Sequence, residues 1–216
     1  MRSEHLFLCG ALVITGPALA QPEAMEKAVR QVAPFDSVEV RGAGRVDITI
    51  GQKQSLTIEA EPKTLSEIST EVSGTTLVID RKDHWWQGWD NKSIRVTITL
   101  PQLKSFALGG AGDVAIQGFT GGASAISISG TGNIKAHGKL DSLNVNLNGA
   151  GNVDFADVSA NQVTVAVNGT GAVNVRAEDT LNAAVNGVGS IAYLGSPDEL
   201  HTAVNGVGSI RQMQRP

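Results

Sequence analysis

Gly110-Ala111-Gly112-Asp113-Val114 decides the fold, because the same pattern returns five more times. The returns are Gly130-Thr131-Gly132-Asn133-Ile134, Gly149-Ala150-Gly151-Asn152-Val153, Gly169-Thr170-Gly171-Ala172-Val173, Gly187-Val188-Gly189-Ser190-Ile191 and Gly206-Val207-Gly208-Ser209-Ile210. The first glycines lie 20, 19, 20, 18 and 19 residues apart. A period of this size is the mark of stacked repeats. The flanks keep the register. Four residues before each first glycine stand Phe106, Ile126, Val145, Val165, Ala183 and Thr202; two before stand Leu108, Ile128, Leu147, Val167, Val185 and Val204. Four after stand Val114, Ile134, Val153, Val173, Ile191 and Ile210, and six after stand Ile116, Ala136, Phe155, Val175 and Tyr193.

Apolar residues spaced by two on both sides predict two strands, each with one buried face. The paired glycines are the corner between them, since glycine takes positive φ without steric cost. One such unit cannot bury its apolar face alone, but a stack can. The reading is an all-β chain, a right-handed parallel β-helix of about 18–20 residues per coil. The corner set is Gly110, Gly112, Gly130, Gly132, Gly149, Gly151, Gly169, Gly171, Gly187, Gly189, Gly206 and Gly208. It extends upstream to Gly42 and Gly44, where Val38, Val40, Val46 and Ile48 fill the same four columns. The stack is therefore expected to begin near Phe35 and to run as one domain, 35–216, with irregular coils over 35–104 and regular ones over 105–216.

The column before the first glycine reads Asn148, Asn168, Asn186 and Asn205 in the last four coils. Stacked asparagines can hydrogen-bond up such a column, as amide ladders do in fibrils. The octamers Ala184–Ile191 and Ala203–Ile210 are identical.

Met1 to Ala20 reads as a secretory signal peptide. Arg2 and His5 stand before the apolar run Leu6–Ile14, and Ala18-Leu19-Ala20 is a small-x-small cleavage site. That run is too short to cross a membrane, so no transmembrane segment is expected in the mature chain. Cys9 is the sole cysteine and lies inside the leader, which leaves a mature chain with no disulfide. Export to the periplasm, the outer-membrane surface or the medium follows. The net charge of −4 gives no support for nucleic-acid binding, which wants a basic surface. Residues 21–34 are expected to be a linker or a short capping helix, on the apolar stripe Ala24, Met25, Ala28, Val29 and Val32 and the pairs Glu23/Lys27 and Glu26/Arg30. Further on, Ser55–Ala60 and Ile94–Leu100 alternate as strands, Pro62–Ile68 reads as a short helix, and Glu71–Asp80 as two strands around Ser73-Gly74. This middle region lacks the glycine corner and is expected to form irregular coils or a β-layer over the open N-terminal end.

These residues resemble the putative auto-transporter adhesin "head GIN" domain family. The resemblance rests on Phe35–Ile50, on Ile94–Asp113 with Leu100-Pro101-Xaa-Leu103, on the Gly-Xaa-Gly-Asn/Ser coils, and on Tyr193-Leu194-Gly195-Ser196-Pro197. It implies a β-helical fold, export to the bacterial envelope, an adhesive role and no known catalytic residues. A C-terminal barrel-forming segment is not seen, so self-translocation is not expected.

Chemistry-bearing patterns are sparse. Gly-Xaa-Gly recurs with no helix after it, which argues against a nucleotide fingerprint. Gly109-Gly110-Ala111-Gly112-Asp113 is near a calcium repeat, but later copies carry Asn133, Asn152, Ala172 and Ser190, and an uncharged ladder binds calcium poorly. His84, His137 and His201 have no metal-ligand spacing, and no metal or other cofactor is expected. The repeat carboxylates Asp113, Asp154, Asp157, Glu178 and Asp179 do not share a column, so the paired acids of a polysaccharide-cleaving β-helix are not evident. All three tryptophans fall in one loop, 81–93, within Asp83-His84-Trp85-Trp86-Gln87-Gly88-Trp89-Asp90. They read either as a plug over the end of the stack or as an exposed aromatic platform for a sugar, peptide or membrane interface. On the second reading Trp85, Trp86 and Trp89 bind, and His84 and Asp90 orient the ligand. The expected function is a non-catalytic envelope adhesin or binding module, with an envelope or host glycan or protein as partner. The alternatives are a structural protein that self-associates through its terminal coils and a polysaccharide-active enzyme.

Overall fold

The computed structural model describes residues 25–81 and 94–214; the leader expected at 1–20 lies outside them. The chain forms strand β1 (Glu26–Arg30), β2 (Ser37–Val40), β3 (Ala43–Ile50) and β4 (Ser55–Ala60), then helix α1 (Pro62–Glu67). Strands β5 (Ile68–Ser73), β6 (Thr76–Arg81), β7 (Arg95–Leu100), β8 (Ser105–Leu108), β9 (Ala111–Thr120) and β10 (Ala123–Ile128) follow. The regular part is β11 (Thr131–Leu147), β12 (Ala150–Val167), β13 (Thr170–Val185), β14 (Val188–Leu194), β15 (Glu199–Val204) and β16 (Val207–Gln212).

Coil stacks on coil in register. Before the corner, Phe106 pairs with Ile126, Ile126 with Val145, Val145 with Val165 and Val165 with Ala183, all in parallel strands. After it, Val114 pairs with Ile134, then Val153, Val173, Ile191 and Ile210. The strands before and after the corner make two walls, and their inward rows fill one continuous core. Every inward residue named from Phe106 to Ile191 is buried, as the alternation requires. The fold is the expected β-solenoid.

The reason for glycine at the corners differs from the expected one. Among the corner glycines only Gly44, Gly151 and Gly171 have clearly positive φ, at 147°, 150° and 154°. From Gly110 onward both glycines of the pair supply close approach to the previous coil, whereas a Cβ on Gly42 would meet nothing. From Gly42 to Gly187 the first glycine's carbonyl accepts the amide of the residue after the next coil's first glycine: Thr131 on Gly110 at 2.9 Å, Ala150 on Gly130 at 3.0 Å, Thr170 on Gly149 at 2.9 Å. That carbonyl column leaves no room for a Cβ. One built on Gly130 would stand 1.7 Å from the oxygen of Gly110.

The N-terminal end departs from chain order. The Phe35–Ile50 coil does occupy the repeat columns, with Val38 on Phe106, Val40 on Leu108, Val46 on Val114 and Ile48 on Ile116. It is not the first coil, however. Strands β6 and β7 stack beneath β2 and β3, in parallel, although they come later in the chain. Beneath those, β4 pairs with β7 and β5 with β6, both antiparallel. The chain thus runs backwards through β4, α1 and β5, turns at Gly74 (φ 63°) and re-enters the stack. Leu65 of α1 packs into the core as it does so.

Residues 26–30 are a strand, neither the linker nor the short capping helix expected for 21–34. Strand β1 adds antiparallel to β4, Glu26 opposite Ala60 through Arg30 opposite Leu56. A short isolated helix is marginal in water, whereas the edge of β4 offers a ladder of backbone partners. Lys27 pairs across strands with Glu59 at 3.3 Å, and Arg30 Nη2 donates to the Leu65 carbonyl at 3.0 Å, at the end of α1.

One ion pair ties the start of β8 to the start of β2. Lys104 Nζ lies 2.7 Å from Asp36 Oδ2, and Ser37 Oγ donates to Asp36 Oδ1 at 2.9 Å. The Lys104 hydrogen bond, partly opposed by desolvation and helped by Ser37 and Thr75, holds the Asp36 carboxyl below its ordinary value. A lowered native value contributes its full stability above the unfolded carboxyl value, and that stability is lost as pH falls through the lower native one. Lys104→Ala should therefore cost about 0.5 kcal/mol at neutral pH, the value of a part-exposed pair. In urea titrations the difference from wild type should begin to shrink near the ordinary aspartate value of about 3.9 and vanish only below the lowered native value of Asp36.

Candidate functional site

The Trp-rich segment His84, Trp85, Trp86, Trp89 and Asp90 lies outside the described residues. Its flanks are described. Arg81 ends β6 on one wall and Ile94 leads into β7 on the other, at the corner where each coil above has two residues between its strands. Ile94 packs against that corner: a Cβ on Gly44 would lie 2.8 Å from the Ile94 carbonyl oxygen.

Two amide ladders border the glycine corner. On one side, Asn168 Nδ2 donates to Asn148 Oδ1 at 2.8 Å, Asn186 to Asn168 at 2.8 Å and Asn205 to Asn186 at 3.0 Å. This is the ladder expected from the sequence. On the other side, Asn133 Nδ2 donates to Asp113 Oδ1 at 2.9 Å and Asn152 to Asn133 at 3.2 Å. The second ladder occupies the column three places after each first glycine, the column whose residues resemble a calcium repeat in sequence. Asn168→Ala removes an inner rung and both of its bonds, so it should cost about 1–2 kcal/mol. Asn205→Ala removes one bond and should cost about half of that. Paired urea denaturation curves measure both.

The outward rows of the two walls differ in charge. From β8 to β13 the wall before the corner presents Ser105, Ala107, Ala125, Ser127, Asn144, Asn146, Thr164, Ala166, Asn182 and Ala184, with no charged side chain. The other wall carries Arg45, Asp47, Asp113, Lys135 and Asp154. On it Arg45 Nε reaches Asp47 Oδ1 at 3.2 Å. His137, isolated in sequence, meets Asp157 of the next coil, Nδ1 to Oδ2, at 3.4 Å. Coil arithmetic could have found that pair. Glu178 accepts from Ser159 Oγ at 2.8 Å. Near the C-terminal end a polar groove of about 470 Å³ is lined by Arg176, Glu178, Ser196 and Gln212 among others. Among the described residues, no three His, Cys, Asp or Glu side chains gather as metal ligands. No helix among them is long and apolar enough to cross a membrane. Among the described residues the chemistry on view is hydrogen bonding and paired surface charges, which can hold a ligand.

Residues 34–197 match the family described as "Putative auto-transporter adhesin, head GIN domain". The chain belongs to that family. The head GIN chain is also similar to solved structures. A "putative adhesin" from Bacteroides fragilis is 24% identical, with 89% of this chain and 98% of that one covered, at a TM-score of 0.67. That likeness is one of fold. A "putative lipid binding protein" from Parabacteroides distasonis is 19% identical over 88% of this chain and 97% of its own, at a TM-score of 0.49. A "putative cell adhesion protein" from Clostridium sporogenes is 16% identical over 89% and 100%, at 0.39. No curated protein matches the head GIN chain.

Proposed function

We propose that this head GIN chain is an exported, non-catalytic binding module of the bacterial envelope, acting as an adhesin toward a neutral glycan. The observation that carries the reading is the uncharged stretch of the wall before the corner, from β8 to β13, between Glu39 of β2 and Glu199 of β15. Its small polar side chains recur at the strand spacing of about 4.8 Å on a frame held rigid by its filled core. A surface of that kind offers hydrogen bonds to a neutral polymer without the desolvation cost that buried charges bring. The family's adhesin description and the dispersed carboxylates support the same reading. Trp85, Trp86 and Trp89 are proposed as a stacking platform, with His84 and Asp90 orienting the ligand.

The test is a glycan array probed with the wild-type chain, with Trp85→Ala/Trp86→Ala/Trp89→Ala and with Asn144→Asp/Asn182→Asp. The expected result is binding to neutral glycans, weakened at least tenfold by the tryptophan change and several-fold by the added charges. Retention of full affinity by the tryptophan variant would remove the platform. Hydrolysis or elimination products from any bound glycan would overturn the non-catalytic reading.

A further inference from the structure

The two ends of the solenoid are finished differently. At the N-terminal end both walls stop against antiparallel strands, and α1 packs Leu65 into the core. At the other end, β15 pairs only with β13 and β16 only with β14. The identical octamers lie on each other there, Ala184 under Ala203 and Ile191 under Ile210, so the final coil repeats a core-forming sequence with nothing stacked on it among the described residues. The inward row shows the consequence. Leu181 and Val185 are fully buried, whereas Leu200 and Val204, which continue their columns, are 45% and 46% exposed. An edge of this kind pairs readily with another strand.

We infer that this end is a contact surface for a second copy of the same chain, joined C-terminal end to C-terminal end about a two-fold axis. Two arguments select that occupant. First, direction: a two-fold across the joint sets like strands antiparallel. The chain already ends its parallel walls that way at the other end, where β4 and β5 close on β7 and β6. A head-to-tail stack would have to place β15 and β16 against that finished end instead. Second, the row is self-complementary. Facing residues in an antiparallel pair share a side of the sheet, so the inward row must meet an inward row. With Thr202 on the axis, Leu200 faces Val204 of the other copy, Thr202 faces Thr202, and Val204 faces Leu200. On the outer side His201 faces Ala203 and Glu199 faces Asn205. No like charges oppose each other, and apolar and Thr–Thr cross-strand pairs are favourable.

The end of one coil is smaller than the roughly 800 Å² per partner of a standard interface. The dissociation constant should accordingly fall between about 1 μM and 1 mM, the range of modest binding energies. A residue on a two-fold axis meets its own copy. Facing Cα atoms in an antiparallel pair lie about 4.5–5.5 Å apart, within the reach of a disulfide.

The test uses the chain with Cys9→Ser, which removes its one native thiol. Sedimentation should show a reversible monomer–dimer equilibrium in that range. Thr202→Cys should form a covalent dimer under mild oxidation, and Asn182→Cys, one coil back, should form at least tenfold less. Val204→Asp, at a side chain already half exposed, should leave the circular dichroism unchanged and abolish the dimer. A monomer at 1 mM with no Thr202→Cys cross-link would overturn the inference. So would a dimer that survives Val204→Asp, because it would use another surface.

Discussion

Gly110→Ala should unfold the solenoid or cost it more than about 4 kcal/mol, the range reserved for a change the structure cannot absorb. The neighbouring Gly109→Ala should stay within about 0.5 kcal/mol of wild type. A Cβ on Gly110 would sit 1.7 Å from the oxygen and 2.6 Å from the carbon of the Gly42 carbonyl. Both atoms are backbone, and that carbonyl also accepts the Ala111 amide at 3.2 Å. Relief would require lifting one coil off the next and breaking the ladder on both walls. A Cβ on Gly109 would meet only the Val40 oxygen, at an ordinary 3.7 Å, and the Gly109 amide bond to that oxygen at 2.8 Å would be kept. The other coils already carry side chains at this column, Ser129, Asn148, Asn168, Asn186 and Asn205. Urea denaturation of the two variants, prepared side by side, decides the matter. A stable Gly110→Ala protein would mean that the corner backbones do not touch.

That contrast also shows how far the chain could be read. The period, the inward columns and the asparagine ladder were legible because each is a local rule repeated at fixed spacing. The role of the corner glycines was half legible. A glycine invites the reading of a permissive φ, and only stacked backbones reveal a clash between coils. The order of coils at the N-terminal end was not legible at all. Strands β4 and β5 alternate just as β2 and β6 do, and alternation carries no sign of direction. Residues 26–30 failed for a related reason. Ala28 and Val29 suit a helix face, but the unpaired edge of β4 outweighs a weak local preference. At the site, the tryptophans stood out by composition. The pairing of His137 with Asp157 and the difference in charge between the walls emerged only when residues a full coil apart were laid side by side.

Phe155→Ala should lower stability by about 3–5 kcal/mol, the cost of emptying a buried aromatic site. Phe155 is fully buried, in the row Ile116, Ala136, Phe155, Val175 and Tyr193. It lies between the coil holding Ala136, the smallest side chain in the row, and the coil holding its partner Val175. Alanine in its place would set two small residues on successive coils. The cavity could close only if the coils approached each other, which the carbonyl column at the corners prevents. In a stack, each coil is stabilised mainly by its two neighbours, so a defect in mid-stack also weakens their coupling. The coils on the C-terminal side of Phe155 end in the exposed strands β15 and β16, whereas those on the N-terminal side end in β1, β4, α1 and β5. Hydrogen exchange on the variant should therefore show amides of β13 and β14 losing protection before those of β3 and β9. The urea transition should broaden as the two halves separate. Ile210→Ala, in the final coil where the side chain is already part exposed, should cost only about 1 kcal/mol and leave the transition sharp. Equal costs for the two variants would mean that stability is not carried coil by coil along this chain.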